Sequence, residues 1–286
     1  MRVACILTGF IRNLNNLNGI KNFVSLNKDF DIDLYSNTYD VIGAETKEPS
    51  NGRGYIGSQK VDDNFLNGLL SLKGVSIENY ETVNKELDIF TEENINLIKK
   101  SPSGVWGGFS GKMKSVENEK TLLRVNYAQW RNVYKNYQLL QGEYDLIVKY
   151  RYDANGGNFD ISKYMEDMTS NSIFLREQPY NPHSFKLDNG KEVVMSFDYI
   201  TLGTYDAMKT YCEFGKKENF VEVLCDNEMQ STSFYNTRSK DIKLSSESLI
   251  SYWCFRIPSH ASVTPPDEPG KAKIYLPFDN TAQALD

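Results

Sequence analysis

The stretch Tyr144-Asp-Leu-Ile-Val-Lys-Tyr-Arg-Tyr-Asp153 decides the fold of this chain. Residues 146–148 are an apolar run within a segment of strand length, and the flanking tyrosines favour β structure. Arg151 and Asp153 follow two residues apart, which places both side chains on the same side of a strand. The glycine pair at 156–157 then interrupts regular structure. The pattern predicts a buried strand that ends in an arginine and an aspartate.

This arginine–aspartate pair has two interpretations. Ligands of open α/β sheets bind at the carboxyl ends of the strands, which is where the pair is predicted to lie. A phosphorylated ligand would place its phosphate on Arg151 and a metal ion or a sugar hydroxyl on Asp153. A plain ion pair that closes the strand explains the same spacing, so both interpretations stay open at this point.

The amino-terminal segment predicts a strand followed by a helix. Residues 2–8 form a largely apolar run, which is typical of a strand covered on both faces of a parallel sheet. Gly9 interrupts the run, and apolar residues at helical spacing between Phe10 and Val24 predict a helix directly after it. A strand, a glycine turn and a helix in this order offer backbone N–H groups to an anion.

The rest of the chain continues this alternation. A second strand is predicted at 30–40, and a helix with an aromatic stripe at 121–141 leads into the central stretch. The alternation predicts an α/β fold with a mostly parallel central sheet, in one domain at 1–258 with a proline-rich tail at 259–286. Further predictions are long loops at 41–60 and 101–115, a helix that starts at Thr91, strands at 172–176 and 193–202, a helix at 220–235 and a last strand at 252–257.

Composition and charge argue against several classes of protein. The 286 residues carry a formal net charge of −6 and no block of Lys and Arg, which argues against broad electrostatic binding to nucleic acid. Two histidines, and four scattered cysteines without a CxxC pair, argue against a zinc site. We expect a cytoplasmic protein with reduced thiols, because the sequence shows neither a signal peptide nor an apolar run long enough to span a membrane.

Familiar catalytic motifs are missing from the sequence, which contains no GxSxG, no GxxxxGK[ST] and no GxGxxG pattern. Asp31-Ile-Asp33 has the DxD pattern that often holds a metal ion beside a nucleotide diphosphate. It begins a predicted strand rather than ending one, so we interpret it as the solvated face of that strand. His183 and His260 have no carboxylate partner nearby in the sequence, and we interpret both as surface residues.

Several short segments, taken in order, resemble a group of viral and bacterial glycosyltransferases with a GT-A-like fold. Ile6-Leu-Thr-Gly-Phe-Ile-Arg12 resembles their SGxxR opening. Leu34-Tyr-Ser-Asn-Thr-Tyr-Asp40 resembles their FIHTWD segment. Tyr144–Asp153 is similar to their YD-hydrophobic-RxRxD segment, and residues 196–211 are similar to their DxFxxG…M…Y segment.

The resemblance continues towards the carboxyl terminus, with three departures from the family pattern. Glu228 stands where the family has an acid in a helix, and Arg256 stands where a late strand carries an arginine. Thr8 replaces the serine of the opening, residues 37–39 replace the HTW triplet, and Lys149 replaces the first arginine of RxR. Lysine keeps the positive charge but loses the two-pronged geometry of the guanidinium.

The resemblance implies a GT-A-like nucleotide-binding α/β/α sandwich that moves a sugar from a nucleotide-sugar donor to a hydroxyl acceptor. It implies that Asp153 binds Mn²⁺ or Mg²⁺, and that Asp198 or Glu228 is the base on the acceptor side. A glycan or a glycoprotein is the first choice of acceptor. The donor-binding residues that the resemblance implies are Thr8, Gly9, Arg12, Thr38, Asp40, Lys149 and Arg151.

Three alternatives remain beside this hypothesis. The acceptor could be a hydroxylated base in viral DNA, which a basic groove formed by Lys112, Lys114, Lys120 and Arg124 would favour. A non-catalytic module that binds carbohydrate or nucleotide would suit the aromatic and asparagine content, and it would show no turnover. An enzyme on an ordinary Rossmann sheet conflicts with the missing GxGxxG pattern.

Overall fold

In the computed structural model, an eight-stranded sheet is covered by helices on both faces, and a separate strand pair lies outside it. The structure describes residues 1–11, 14, 17–42, 60–97, 116–152, 154, 159–169, 172–177, 184–186, 192–194, 196–226, 249–250, 253–254, 263–264 and 271–275. The strands are β1 Arg2–Thr8, β2 Asp31–Tyr39, β3 Leu72–Glu78, β4 Leu146–Arg151, β5 Ser172–Glu177, β6 Ser184–Lys186, β7 Glu192–Val194, β8 Ser196–Thr204, β9 Val263–Thr264 and β10 Lys271–Tyr275. The helices are α1 Leu17–Leu26, α2 Asp63–Leu69, α3 Tyr80–Asn94, α4 Val116–Gln138, α5 Ser162–Met165, α6 Tyr205–Glu213 and α7 Lys217–Cys225.

The sheet has the strand order β3-β2-β1-β4-β8-β5-β10-β9. Strand β1 pairs in parallel with both β2 and β4, and β2 pairs in parallel with β3. An ordinary Rossmann sheet shares the order 3-2-1-4 and then continues with parallel strands. Here β8 follows β4 and runs antiparallel to it and to β5, which argues against the ordinary Rossmann alternative. The predicted α/β fold with a mostly parallel central sheet is confirmed.

The central strand β1 is buried on both faces, as its apolar run predicts. Val3, Cys5 and Leu7 belong to the same apolar cluster as the buried face of α1. Ala4 and Ile6 belong to the opposite cluster, which contains the aromatic stripe of α4. The alternation of side chains along a strand therefore divides the core into two layers and gives an α/β/α sandwich.

The first helix begins later than predicted. Helix α1 starts at Leu17, and Phe10 lies outside it, with its ring stacked on that of Tyr39 at 4.2 Å between centroids. The prediction of a helix directly after Gly9 is therefore wrong. Phe10 has an aromatic partner at the end of β2, and a contact of this kind is invisible to periodicity along the chain.

The predicted helix start at Thr91 is also wrong. Helix α3 begins at Tyr80, because the Asn79 side chain accepts a hydrogen bond from the Thr82 N–H and caps the helix. Thr91 lies in the last turns of α3, where its hydroxyl donates to the Leu87 carbonyl. The acidic residues after Thr91 resemble a first turn, but an asparagine cap lies a dozen residues earlier.

The carboxyl-terminal third differs from prediction in three places. Helix α7 ends at Cys225, with Asp226 as its C-cap. The predicted helix at 220–235 is therefore wrong at Asp226. Trp253 and Cys254 are helical, which contradicts the strand predicted at 252–257. The segment predicted as one strand at 193–202 contains the end of β7 and most of β8, which begins at Ser196.

The predicted tail contributes to the sheet, where β10 pairs antiparallel with β5 and with β9. The predicted loops at 41–60 and 101–115 fall almost entirely outside the described residues. Within the described part of the chain, no helix has the length and apolar character that a membrane span requires.

Candidate functional site

The carboxyl ends of β1, β2 and β4 meet at one edge of the sheet and bring together four of the predicted site residues. Thr8 and Arg151 are register partners across β1 and β4, and the Tyr152 N–H donates to the Thr8 carbonyl at 3.0 Å. The Thr38 hydroxyl, near the end of β2, donates to the Gly9 carbonyl at 3.5 Å. We call the edge defined by Thr8, Gly9, Thr38 and Arg151 the strand-end site.

The buried hydroxyl of Thr8 has no hydrogen-bond partner among the residues that the structure describes. The residue is 2% exposed, and its Oγ1 finds no donor or acceptor in the described part of the chain. Buried side-chain oxygens are nearly always bonded, and leaving one unpaired costs about 1–3 kcal/mol. A hydroxyl of this kind at the carboxyl end of a central parallel strand is a candidate contact for a ligand.

Gly9 shapes the turn beside this hydroxyl. Its φ of 90° lies in the left-handed region, which glycine adopts without strain. A Cβ at Gly9 would meet no described atom within 4 Å, so the described residues leave open space on that side of the turn. The Gly9 N–H was predicted to face an anion, but it donates to Oδ1 of Asn132 at 2.8 Å. The groups of this turn that a ligand could approach are therefore its open side and the Thr8 hydroxyl, because the Gly9 N–H is already bound by Asn132.

The two predicted cations of β4 lie in different surroundings. Lys149 is fully buried, with its Nζ 5.5 Å from the ring centre of Trp130 on α4. Arg151 is half-buried at the end of the strand, with its guanidinium 4.6 Å from the ring centre of Tyr199. Contact with an aromatic ring holds a guanidinium in place. Arg151 is therefore better placed than Lys149 for contact with a ligand.

Asp40, a predicted donor-binding residue, holds the start of helix α3. One of its carboxylate oxygens accepts from the Tyr80 N–H at 2.8 Å, and the other accepts from Nδ2 of Asn79 at 2.8 Å. A carboxylate at a helix amino terminus is stabilised by the unpaired N–H groups there. Asp40 therefore stabilises the start of helix α3, and its role in donor binding stays a prediction.

The structure does not describe the side chains of four predicted site residues. Arg12, Asp153 and Glu228 lie outside the described residues, and Asp198 is described only as part of strand β8. Within the described ranges, no three His, Cys, Asp or Glu side chains cluster as a metal site. The Mn²⁺ or Mg²⁺ ion implied for Asp153 therefore stays a prediction.

An asparagine network behind the strand-end site was not predicted. Asn132 and Asn136 lie one turn apart on α4, and both bind the backbone of Asn37 in β2. All three asparagines are at most 1% exposed. Their one sequence signal is two asparagines four residues apart within an aromatic helix stripe, which indicates a polar contact on a buried helix face.

The network extends to an ion pair at the end of β3. Glu78 accepts hydrogen bonds from both terminal nitrogens of Arg131, each at 2.8 Å, and from Nδ2 of Asn37 at 2.8 Å. Burial alone would raise the pKa of the Glu78 carboxyl, but the hydrogen bonds from Arg131 and Asn37 lower that pKa below its ordinary value of about 4.5. Glu78 is therefore ionised at neutral pH and fixes the end of β3 against α4.

Two sets of charged residues, the Asp31-Ile-Asp33 segment and the proposed basic groove, have partners nearby in the fold. Asp33 lies at the amino end of β2, opposite the strand-end site, and accepts from Lys73, Tyr144 and Arg2. This agrees with the interpretation of Asp31-Ile-Asp33 as a strand face. Of the proposed basic groove, Lys120 pairs with Glu92 and Arg124 pairs with Asp88 on helix α3. Their charge is offset locally, which argues against a DNA groove built on these two residues.

Comparison with known proteins adds little to this description. No protein-family model and no curated protein matches the sequence. Among solved structures, the chain resembles the apo crystal structure of mouse xyloside xylosyltransferase 1. The TM-score is 0.34 at 10% sequence identity, over 88% of this chain and 80% of that one. A likeness at this level carries no argument about the present chain.

Proposed function

We propose that this protein is a glycosyltransferase that binds a nucleotide-sugar donor at the strand-end site. The single observation that carries the proposal is the buried, unpartnered hydroxyl of Thr8 beside Arg151. The sequence resemblance implies both residues as donor contacts. Their meeting at the carboxyl edge of parallel strands is what a phosphorylated ligand requires.

The donor supplies the groups that the strand-end site lacks. Phosphate and ribose oxygens are acceptors, and either would satisfy the Thr8 hydroxyl as a donor. The open space beside Gly9 gives the ligand room to approach the backbone. Arg151 offers a planar guanidinium that matches phosphate oxygens in two-pronged geometry. These contacts support a diphosphate at this edge.

The chemistry of sugar transfer explains why a cation is needed there. Breaking the bond between the sugar and the phosphate leaves a diphosphate with additional negative charge. Arg151 would stabilise that charge as it develops, because a positioned cation acts most strongly where water is partly excluded. Lys149 is fully buried, so we assign it no direct phosphate contact.

The acceptor side of the mechanism rests on the sequence resemblance. We assign the deprotonation of the acceptor hydroxyl to Asp198 or Glu228, which a reaction that inverts configuration would need. We assign Asp153 to donor binding, where a divalent ion held by its carboxylate would neutralise the charge of the diphosphate. A glycan or glycoprotein hydroxyl is the acceptor we propose, because the paired cations Lys120 and Arg124 remove one argument for DNA.

Substituting Thr8 by valine separates ligand binding from folding. Valine has nearly the same shape and removes the unpaired hydroxyl, so we expect Thr8→Val to leave the melting temperature unchanged or slightly raised. Loss of the hydroxyl should weaken binding of the donor nucleotide by about tenfold. Thermal unfolding and isothermal titration with nucleoside diphosphates measure the two effects separately.

The matched control is Thr201→Val. Thr201 is fully buried on β8, but its hydroxyl bonds that of Tyr211 at 3.2 Å. We expect this variant to lose stability and to bind nucleotide as the wild type does. A Thr8→Val variant that melts lower and binds nucleotide normally would show that the hydroxyl has a structural partner and would remove the observation that carries the proposal.

A further inference from the structure

Asn132 of helix α4 connects the β1 turn to the end of strand β2. Its Oδ1 accepts from the Gly9 N–H at 2.8 Å, and its Nδ2 donates to the Asn37 carbonyl at 2.9 Å. The side chain is 1% exposed, so both hydrogen bonds are shielded from water. We propose that Asn132 is a positioning residue for nucleotide binding, which holds the β1 turn so that the Thr8 hydroxyl meets the donor. This inference rests on the proposed function.

The contacts of Asn132 fix the orientation of its amide. A flipped amide would set its NH₂ group against the Gly9 N–H and its oxygen against the Asn37 carbonyl, so both hydrogen bonds would be lost. Nδ2 of Asn136 also donates to Oδ1 of Asn132 at 3.2 Å, which favours the same orientation. The oxygen of Asn132 must therefore face Gly9.

The residues that hydrogen-bond to Asn132 are fixed in turn by further hydrogen bonds. The Asn37 N–H donates to Oδ1 of Asn136 at 2.6 Å, and Nδ2 of Asn37 donates to Glu78. Glu78 is held in turn by Arg131. This chain of buried and partly buried hydrogen bonds joins β1, β2, β3 and α4, and such a network stabilises one arrangement of its members.

The consequence for the site concerns the residue next to Gly9. The Thr8 carbonyl is bound by the Tyr152 N–H, and the Gly9 N–H is bound by Asn132. The peptide unit between Thr8 and Gly9 is therefore held at both its oxygen and its nitrogen. Loss of the Asn132 contact frees one side of that unit, so the Thr8 hydroxyl spends less time in the binding geometry.

Asn132→Asp gives a test in which pH switches the contact. A neutral carboxyl can accept from the Gly9 N–H and donate its O–H to the Asn37 carbonyl, as the amide does. An ionised carboxylate still accepts from Gly9 but repels the Asn37 carbonyl. Burial raises the pKa of a carboxyl, so the neutral form should dominate towards mildly acidic pH. Among the described residues, the charged groups that contact the network are Glu78 and Arg131, bound to each other, and Glu86, which pairs with Arg131, while Lys135 acts electrostatically on Glu78.

The probes are UDP, GDP, ADP, CDP and dTDP, each with manganese chloride, and the tightest binder to the wild type is used for the variants. We expect Asn132→Asp to bind it about tenfold to a hundredfold more weakly at mildly alkaline pH. Affinity should return towards that of the wild type as the pH falls, after correction for the wild type's own pH profile. A role in folding alone would change the melting temperature with pH and leave the affinity of the folded protein unchanged.

The matched control is Asn27→Asp. Asn27 is also buried, with its Oδ1 accepting from the Ile161 N–H and its Nδ2 donating to backbone carbonyls, and it lies just before β2, at the end of the sheet opposite the strand-end site. We expect its stability to fall while its nucleotide affinity stays close to that of the wild type at every pH. Asn132→Ser and Asn27→Ser repeat the comparison without an added charge, and only the first should bind about tenfold more weakly.

The outcomes are distinct. Affinity that follows pH in Asn132→Asp alone, or weak binding in Asn132→Ser alone, supports the inference. Equal affinities in the matched pairs overturn the inference and leave the proposed function intact. Failure of the wild type to bind any of the nucleotides overturns the proposed function, and this inference with it.

Discussion

Asp153→Asn is expected to reduce donor turnover by on the order of a hundredfold to a thousandfold while leaving the melting temperature close to that of the wild type. The residue follows Arg151, the last residue of β4, by two positions in the sequence. A carboxylate on the donor side is the group that the resemblance implies for this position. Asparagine keeps the size of the side chain and removes its charge, so the variant tests the charge alone. Released nucleotide, measured under single-turnover conditions, gives the rate.

The matched control for this variant is Asp145→Asn. Asp145 precedes the same strand and accepts from the Arg2 N–H at 2.7 Å, at the edge opposite the strand-end site. We expect it to keep wild-type turnover, since it lies a strand length away. Wild-type turnover in Asp153→Asn, with or without added Mn²⁺, would remove Asp153 from the mechanism.

Glu78→Gln is expected to lower the free energy of unfolding by about 2–3 kcal/mol at neutral pH. Glutamine keeps one acceptor oxygen but loses the charge that both Arg131 nitrogens and Asn37 contact. The Arg131 side chain is 11% exposed, so it would lose its buried counter-charge. Chemical denaturation of both proteins at several pH values measures the difference.

The pH dependence has a definite sign. Because the folded pKa of Glu78 is below its ordinary value of about 4.5, its ionised form stabilises the fold above that pH. The stabilisation is lost as the pH falls from about 4.5 through the lower folded pKa. The difference between wild type and Glu78→Gln should therefore be full at neutral pH and shrink in acid. A difference that is constant across this range would contradict the account.

Glu86→Gln is the control for the ion pair. Glu86 contacts the same arginine at 2.9 Å, but its side chain is 54% exposed. Exposed pairs contribute about 0–1 kcal/mol, so we expect a small change. Equal losses in Glu78→Gln and Glu86→Gln would show that burial of Glu78 has no special importance.

Much of the fold could be predicted because its strands and longest helix carry local signals. The apolar runs of β1 and β4 and the aromatic stripe of α4 each identify an element from a single window of sequence. The errors arise where distant contacts decide. Phe10 was predicted to be helical, but its ring stacks on that of Tyr39, a residue far along the chain.

The site was predictable to the extent that it depends on strand ends. Thr8, Gly9 and Arg151 meet because they close neighbouring parallel strands, which follows from topology. The burial of Lys149 and the binding of Asp40 at a helix start depend on tertiary packing, which spacing along the chain does not encode. Asn132 was missed for the same reason, since its partners come from two other strands.

The most direct test of the central claim is an assay of the wild-type protein against a panel of nucleotide sugars, with Mn²⁺ or Mg²⁺, that measures released nucleotide. A glycosyltransferase without its acceptor hydrolyses its own donor slowly, so we expect one donor to release nucleotide and to raise the melting temperature of the protein. That result would name the sugar and the base. If no donor is hydrolysed and none shifts thermal unfolding, the account is contradicted, and a non-catalytic module becomes the better description.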